Sequence, residues 1–511
     1  MGLANALHIR TREDYVRNQM QLHEGECYDA ETLDASVRFL RQLDFIARAQ
    51  ANATQQPDST WTIAVETWDE WSTSGGVYFD VEGAFQFQGF YVTEINALGR
   101  GLRLAFRRRD FRERDDKSLT LSFTRFLGTP TQANVSAGTT LLGSYFRQEF
   151  NHPLRSETTR VSYFTRIGYE DRQQSFITGN EQGFSHLLYP MTDKTLALIG
   201  RLRFGRPGHL KVVGAEVTGL RRTFPTAPRE VLKGDFQHAV TASDSLAAHL
   251  APQASPHSYV ALGAVGGLRR VTFTTGRGLD LVSGVQTVAL GTELTGSIGR
   301  TLTTWGTSST DTYGWLDGFA SKVAGPLLFN LTAHADGRFL DYGTVGRSRW
   351  RDLHLYGRAL LYLQPGVTTE NAVSIQTLLT GVRFDLVSNT EQPYQKVLGG
   401  GGGNRGFRND QIPTGSAATF FVEERLNLPW FRPAADLGLT GFVDYSRGWA
   451  DNIPFGQNTG WMTDVGGGLR IGFPAGSHLI THIELGVPVG ATGRGHQPVL
   501  RTYFARVDTN R

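Results

Sequence analysis

The chain reads as mainly β: a transmembrane antiparallel β-barrel of about sixteen strands preceded by one small α+β domain. Three observations predict this. From Gly75 onward apolar and polar residues alternate with period two, in many runs of ~9–11 residues, the span of a tilted membrane strand. No stretch approaches the ~20 continuous apolar residues that a membrane helix needs. The 511 residues include 60 glycines and 11% aromatics but only 19% charged residues, and mean hydropathy is −0.27. Strands with one apolar and one polar face produce that mixture. Composition alone fits a soluble β-sandwich or propeller equally well. Sandwich strands, however, are shorter, at ~5–6 residues, and no repeat period marks a propeller or solenoid.

Residues 1–74 carry the α+β pattern. Thr11 with Asp14 reads as a capping box opening a short helix from about Glu13 to Met20. Asp29 is a good N-cap for a second helix, in which Leu33, Val37 and Leu40 form an apolar stripe widened by Phe39 and Leu43. Phe45 to Ala53 and Trp61 to Thr67 read as strands joined by the turn Gln55–Ser59. The single cysteine, Cys27, excludes an intramolecular disulfide and is expected to be a small buried residue. This order, with Leu7-His8-Ile9-Arg10-Thr11, Gly25-Glu26-x-Tyr28-Asp29 and Arg38-x-Leu40-Arg41, resembles a polypeptide-transport-associated (POTRA) domain, whose order is β-α-α-β-β. Without those motifs the pattern fits any small α+β domain. The resemblance implies a periplasmic module that offers a sheet edge to an extended client. Met1 to Asn5 has neither a charged n-region nor an apolar h-region. A signal peptide and a first strand are therefore expected upstream of Met1.

Residues 75–511 carry the barrel. Val77, Phe79, Val81, Phe85, Phe87 and Tyr91 share one face, assigned to lipid, against Asp80, Glu82, Gln86 and Gln88. The same alternation recurs at 118–124, 160–169, 327–338 and 353–363. Dividing these 437 residues by ~27 per strand plus connection gives roughly sixteen strands, an even number. The last strand, near Val499 to Val507, has a short apolar signal, because Val499, Tyr503 and Val507 share a face with Arg501. Val77, Phe79, Phe85 and Phe87 on the first strand, with Val499 and Tyr503 on the last, are expected to flank a poorly paired lateral seam. Unpaired strand edges in lipid invite a replacement strand.

The candidate site lies in the C-terminal third. Gly399 to Gly403 is a run of five glycines, which folds sharply and lies close to other backbone. Asn404-Arg405-Gly406-Phe407 follows. If Leu437, Leu439, Gly441 and Val443 point outward, Phe442 and Asp444 point inward. Val465, Gly467, Leu469 and Ile471 outward put Arg470 inward. Glu423 and Arg425 fall opposite Phe420 and Val422, and so face inward too. Arg405 is expected to enter this polar lumen and pair with Asp444 or Glu423. Enzyme signatures are missing: there is no Gly-x-Ser-x-Gly, Walker A or His-Glu-x-x-His, and no Lys-Ser/Thr follows the glycine run. His478 and His482 share a strand face and read as lumen lining rather than metal ligands. No cofactor is expected, and a net charge of +3 gives no nucleic-acid footprint.

These residues, in this order, resemble the BamA/TamA family of outer-membrane assembly factors, the bacterial surface antigen barrels. Arg405-Gly406-Phe407 is similar to the family's loop-tip motif, and Phe442-x-Asp444 to the inner-wall motif that receives it. Gly468-Leu469-Arg470 with Pro474 resembles the next strand. Glu94-x-Asn96-x-x-Gly99-x-Gly101 resembles the turn after the first barrel strand. The chain departs from the pattern at Ser446, where glycine is usual, in its single POTRA domain, and in ending on Asp508-Thr509-Asn510-Arg511. The resemblance implies a bacterial outer-membrane protein that inserts or translocates β-rich clients through a lateral barrel seam. Its partners would be unfolded outer-membrane or secreted proteins, the lipid bilayer and periplasmic accessory proteins. A two-partner-secretion transporter or a passive pore is the alternative.

Overall fold

A computed structural model describes residues 9–80, 86–111, 114–140, 142–154, 156–178, 186–231, 239–302, 310–341, 348–365, 376–400, 403–408, 412–428, 434–490 and 497–506. Leu7, His8, Val81, Phe85 and Val507 lie outside the described residues, as does the side chain of Phe79.

The N-terminal unit has two helices, Glu13–Gln19 and Ala30–Arg41, followed by the hairpin of β1 (Ile46–Gln55) and β2 (Trp61–Asp69). Asp29 caps the second helix by accepting from the Thr32 N–H, and its contacts with Thr32 hold its carboxyl below the usual range. The expected capping box at Thr11 does not form. Arg12 occupies the N-cap without a side-chain bond. Thr11 is instead engaged by Asp69 and Asn96, at 2.8 and 2.9 Å. Leu33, Val37, Phe39 and Leu40 pack with Tyr15, Phe45, Ile46 and Ala49 into one core, which Ile95 of the barrel also joins. Cys27 is exposed rather than buried, because it falls in the connection between the helices, outside that core.

The barrel follows: β3 (Thr73–Asp80), β4 (Gln86–Ala97), β5 (Leu102–Phe111), β6 (Arg114–Phe123), β7 (Gln132–Thr139), β8 (Ser144–His152), β9 (Val161–Ile177), β10 (His186–Arg206) and β11 (His209–Thr223). The short strands β12 (Arg229–Val231) and β13 (Val240–Thr241) belong to the next connection. Then come β14 (His257–Arg277), β15 (Val285–Thr301), β16 (Asp311–Ala324), β17 (Leu327–Leu340), β18 (Trp350–Leu363) and β19 (Gln376–Ser388). A small hairpin of β20 (Lys396–Leu398) and β21 (Ile412–Thr414) precedes β22 (Ser416–Leu428), β23 (Asp436–Trp449), β24 (Met462–Gly472), β25 (Leu479–Val489) and β26 (Val499–Arg506).

The sheet is a closed barrel in which the last strand neighbours the first. The ring holds twenty strands among the described residues: β3–β11, β14–β19 and β22–β26. This exceeds the estimate of about sixteen because many connections are shorter than the estimate allowed. Only Pro207-Gly208 joins β10 to β11, and only Gly325-Pro326 joins β16 to β17. Gly208 and Gly325 have φ of 78° and 58°, a conformation tight two-residue turns require.

Connections alternate between two ends. The turn after β4 lies at the near end, against the N-terminal unit: Arg12 N donates to Gly99 O at 3.0 Å and Tyr15 Oη meets Thr124 Oγ1 at 2.5 Å. The outer surface is apolar, with Val77, Phe106, Ile167, Leu268, Ile298, Leu316, Val443 and Leu485 among many exposed side chains. On β4 the expected alternation changes phase. Phe87 is exposed, but so are Phe90 and Val92, and Tyr91 packs on Tyr78 on the opposite side. The cause is an irregularity in register between Tyr78 and Phe79, opposite Gly89 at φ 135°. One extra residue flips every side chain beyond it.

Candidate functional site in the barrel lumen

The connection between β19 and β22 leaves the far end and folds back inside. The hairpin β20–β21 is its stem, and the tip Asn404–Phe407 lies against the inner wall. Glycine is needed on both sides of that contact. A Cβ at Gly406 would come within 2.6 Å of Asp464 Cβ, and one at Gly486 of β25 within 2.6 Å of Gly406 Cα. Phe407 is buried with Leu398, Ala417 and Met462. That burial anchors the tip by roughly 1.5–3 kcal/mol.

Arg405 is the centre of the site. Its Nε and Nη2 donate to the two carboxylate oxygens of Asp444 on β23, at 2.9 and 2.8 Å. Its Nη1 donates to Glu423 Oε2 on β22 at 2.7 Å and lies 3.6 Å from Glu484 on β25. The guanidinium also covers the Phe442 ring, 3.5 Å from its centre. The three carboxylates are nearly inaccessible, with side-chain exposures of 8, 3 and 2% for Glu423, Asp444 and Glu484. Burial disfavours the charge on Arg405, but the hydrogen bonds and charge of Asp444, then Glu423 and Glu484, outweigh it and hold the guanidinium's pKa above its usual value. The fork geometry matches a carboxylate at two points.

The charge pattern continues towards the near end. Arg425 Nε donates to Glu423 Oε1 at 2.7 Å, and its Nη1 reaches the Leu279 carbonyl and, at 3.3 Å, Asp280 Oδ1. Asp280 also accepts from Tyr362 Oη at 2.9 Å. Asp444, Arg405, Glu423, Arg425 and Asp280 thus alternate in sign from the loop tip to the turn between β14 and β15. Arg470 is buried on β24 and donates to the Asp280 carbonyl. It faces inward, as its register requires, but meets the near-end turn rather than Arg405.

Several residues of the site escaped sequence reasoning. Arg501 on β26 donates to the carbonyls of Arg405, at 2.8 Å, and Phe407, so the last strand holds the loop backbone. Asn404 Nδ2 donates to Asp464 at 2.9 Å. Glu484, Asp464 and Arg501 share the inward parity of their strands, which was the available signal. Asp280 sits in a connection and gave none.

The single first strand expected to carry Val77 and Phe87 is two antiparallel strands. Val77 lies on β3, next to β26, while Phe87 lies on β4, one strand further from the seam, and both are exposed on the outer surface. Val499 and Tyr503 share the face of Arg501 and line the inside: Tyr503 Oη donates to Glu484 at 3.2 Å and its ring stacks on His482. Leu500 and Phe504 take the outer positions of β26. Just below, Glu70 is buried between β2 and β3. It accepts from Ser477 Oγ and from the N–H groups of His478 and Leu479, the latter two at 3.3 and 3.2 Å. It therefore ties the entry to β3 to the start of β25, across the end of β26.

No family model and no curated protein matches this chain. Among solved structures it is similar to BamA from Haemophilus ducreyi lacking POTRA domains 1–3, at 11% identity over 97% of this chain and 82% of that one, with a TM-score of 0.42. It is similar too to CdiB from Escherichia coli, at 12% identity over 97% of this chain and 73% of that one, TM-score 0.47, and to CdiB from Acinetobacter baumannii, at 10% over 98% and 72%, TM-score 0.35.

Proposed function

We propose that this chain is a bacterial outer-membrane barrel of the BamA/TamA type that inserts or translocates β-rich clients through the seam between β3 and β26, with the N-terminal unit as a periplasmic POTRA domain. The observation that carries the reading is the Arg405 tip, docked by two points on Asp444 and by a third on Glu423 inside the lumen. The apolar outer surface supports a lipid setting, since a barrel satisfies its backbone internally and so tolerates hydrocarbon. Two clasps beside the junction of the first and last strands support the choice of seam. Arg501 on β26 and Glu70 before β3 fasten the two sides of the seam to the loop tip and to β25. A client strand would pair with the freed edge, and its apolar face entering lipid would supply the driving force without a nucleotide.

The test is a disulfide across the seam, between Val77→Cys on β3 and cysteines placed singly at positions 499 to 503, in a Cys27→Ser background. Client insertion into liposomes should stop when a bond forms and return on reduction. Equal insertion by locked and reduced protein rejects the lateral route. Passage through the lumen, as in a two-partner-secretion transporter or a pore, is the second reading. It is favoured by a chamber of about 910 Å³ inside the barrel wall.

A further inference from the structure

The same chamber has an imbalance of charge that the loop-tip site does not explain. It is lined by Arg201, Arg269, Arg358, Arg383 and Lys396, against Glu293, Asp317 and Asp385, with His334 beside them. Three of the groups are matched. Arg269 pairs with Glu157 and Glu293, Lys396 lies 2.8 Å from Asp385, and His334 lies 2.7 Å from Asp317. Among the described residues, Arg201, Arg358 and Arg383 have neither a carboxylate nor a hydrogen-bond acceptor.

Their placement makes the imbalance costly. Arg358 on β18 and Arg383 on β19 are direct cross-strand partners, a position where like charges repel. Arg383 is held over the Phe421 ring at 4.6 Å and Arg201 near the Trp315 ring at 5.8 Å, so aromatic faces limit their escape. Cations crowded on one stretch of the inner wall without partners favour an anion that neutralises them.

We propose that the chamber is a binding site for a polyvalent oxyanion of the polyphosphate class, with Arg358 and Arg383 as the principal cations and Arg201 as a third from another part of the wall. Guanidinium forks match phosphate oxygens at two points each. The hydroxyls of Thr295, Thr332 and Thr419 line the same space and add neutral donors. The volume suits a chain of phosphates rather than a single one, falling within the usual ~300–1,000 Å³ of ligand sites. The proposal is independent of the client-insertion reading, since it needs only the folded barrel.

The experiment is calorimetric titration of the detergent-solubilised full chain with sodium tripolyphosphate, at low and at physiological salt. Wild type should take up the anion saturably, with affinity falling as salt rises. R358Q/R383Q should weaken binding at least tenfold, and R358K/R383K, which keeps the charge but not the fork, should fall between wild type and the glutamine variant. If R358Q/R383Q does not fold, R201Q and R358Q are titrated singly, each expected to weaken binding several-fold. Absence of saturable uptake by wild type, or wild-type affinity in the folded glutamine variants, overturns the proposal.

Discussion

The loop between β19 and β22 is fastened at its tip and at its base, and the two fastenings have opposite polarity. At the tip, one loop cation, Arg405, enters a nest of three wall carboxylates. At the base, Glu391 and Gln392 of the loop are received by wall arginines. Arg338 reaches Asp311, Asp352 and Glu391, Arg351 reaches Glu391 at 2.6 Å, and Arg222 Nη1 donates to Gln392 at 2.9 Å. The tip partners are almost fully enclosed, whereas Glu391 is 44% exposed. Removing a charge from the tip strands carboxylates that water cannot reach. At the base, water can replace what Glu391 loses, although Asp311, also held by Arg338, is as enclosed as the tip carboxylates. The tip should therefore act as a cooperative lock and the base as a set of modest, separable contacts.

Arg405→Ala should have the largest effect, since it leaves Asp444 and Glu484 without their shared counter-charge and Glu423 with Arg425 alone. Loss of one partner from a buried pair costs about 3–5 kcal/mol. The loop should undock, becoming accessible to protease, while the barrel stays folded. Arg405→Lys should rescue only part of this, because an ammonium cannot span both oxygens of Asp444. A loop equally protected in wild type and Arg405→Ala would break the comparison.

Arg338→Ala should come next, at about 1.5–3 kcal/mol for lost bonds to charged partners, read as a lower temperature for the heat-induced mobility shift of the barrel on gels. An effect matching that of Arg405→Ala on loop protection would show the base to be a lock as well. Arg501→Ala removes two contacts to loop carbonyls, each worth roughly 0.5–1.5 kcal/mol. It should loosen the tip measurably without releasing it, giving protease cleavage between those of wild type and Arg405→Ala. Glu391→Gln should be the mildest. Its ion pairs are half-exposed and contribute about 0–1 kcal/mol, and high salt should erase the difference from wild type.

The sequence by itself determined a good deal. Period-two alternation specified the strands and, on β22 to β24, which side chains face inward, because a strand cannot present adjacent residues to one face. That is why Glu423, Arg425, Phe442, Asp444 and Arg470 could be assigned to the lumen. A glycine run followed by Arg405 marked the loop tip, since close backbone approach demands glycine. Asp29 and the stripe of Leu33, Val37 and Leu40 marked the second helix through local capping and periodicity.

Tertiary structure alone decided the rest. The strand count depended on how tight the turns are. The phase slip on β4 depended on one irregularity at Gly89, which moved Tyr91 off the face its spacing assigned. Cys27 is exposed because the core forms beside its connection. The partners of Arg405 and Arg425 at Glu484 and Asp280, the hold of Arg501 on the loop, and the clasp of Glu70 on β25 join residues dozens to hundreds of positions apart. Alternation tells which way a side chain points, but only closing the ring sets which strands stand opposite, and so which charges meet.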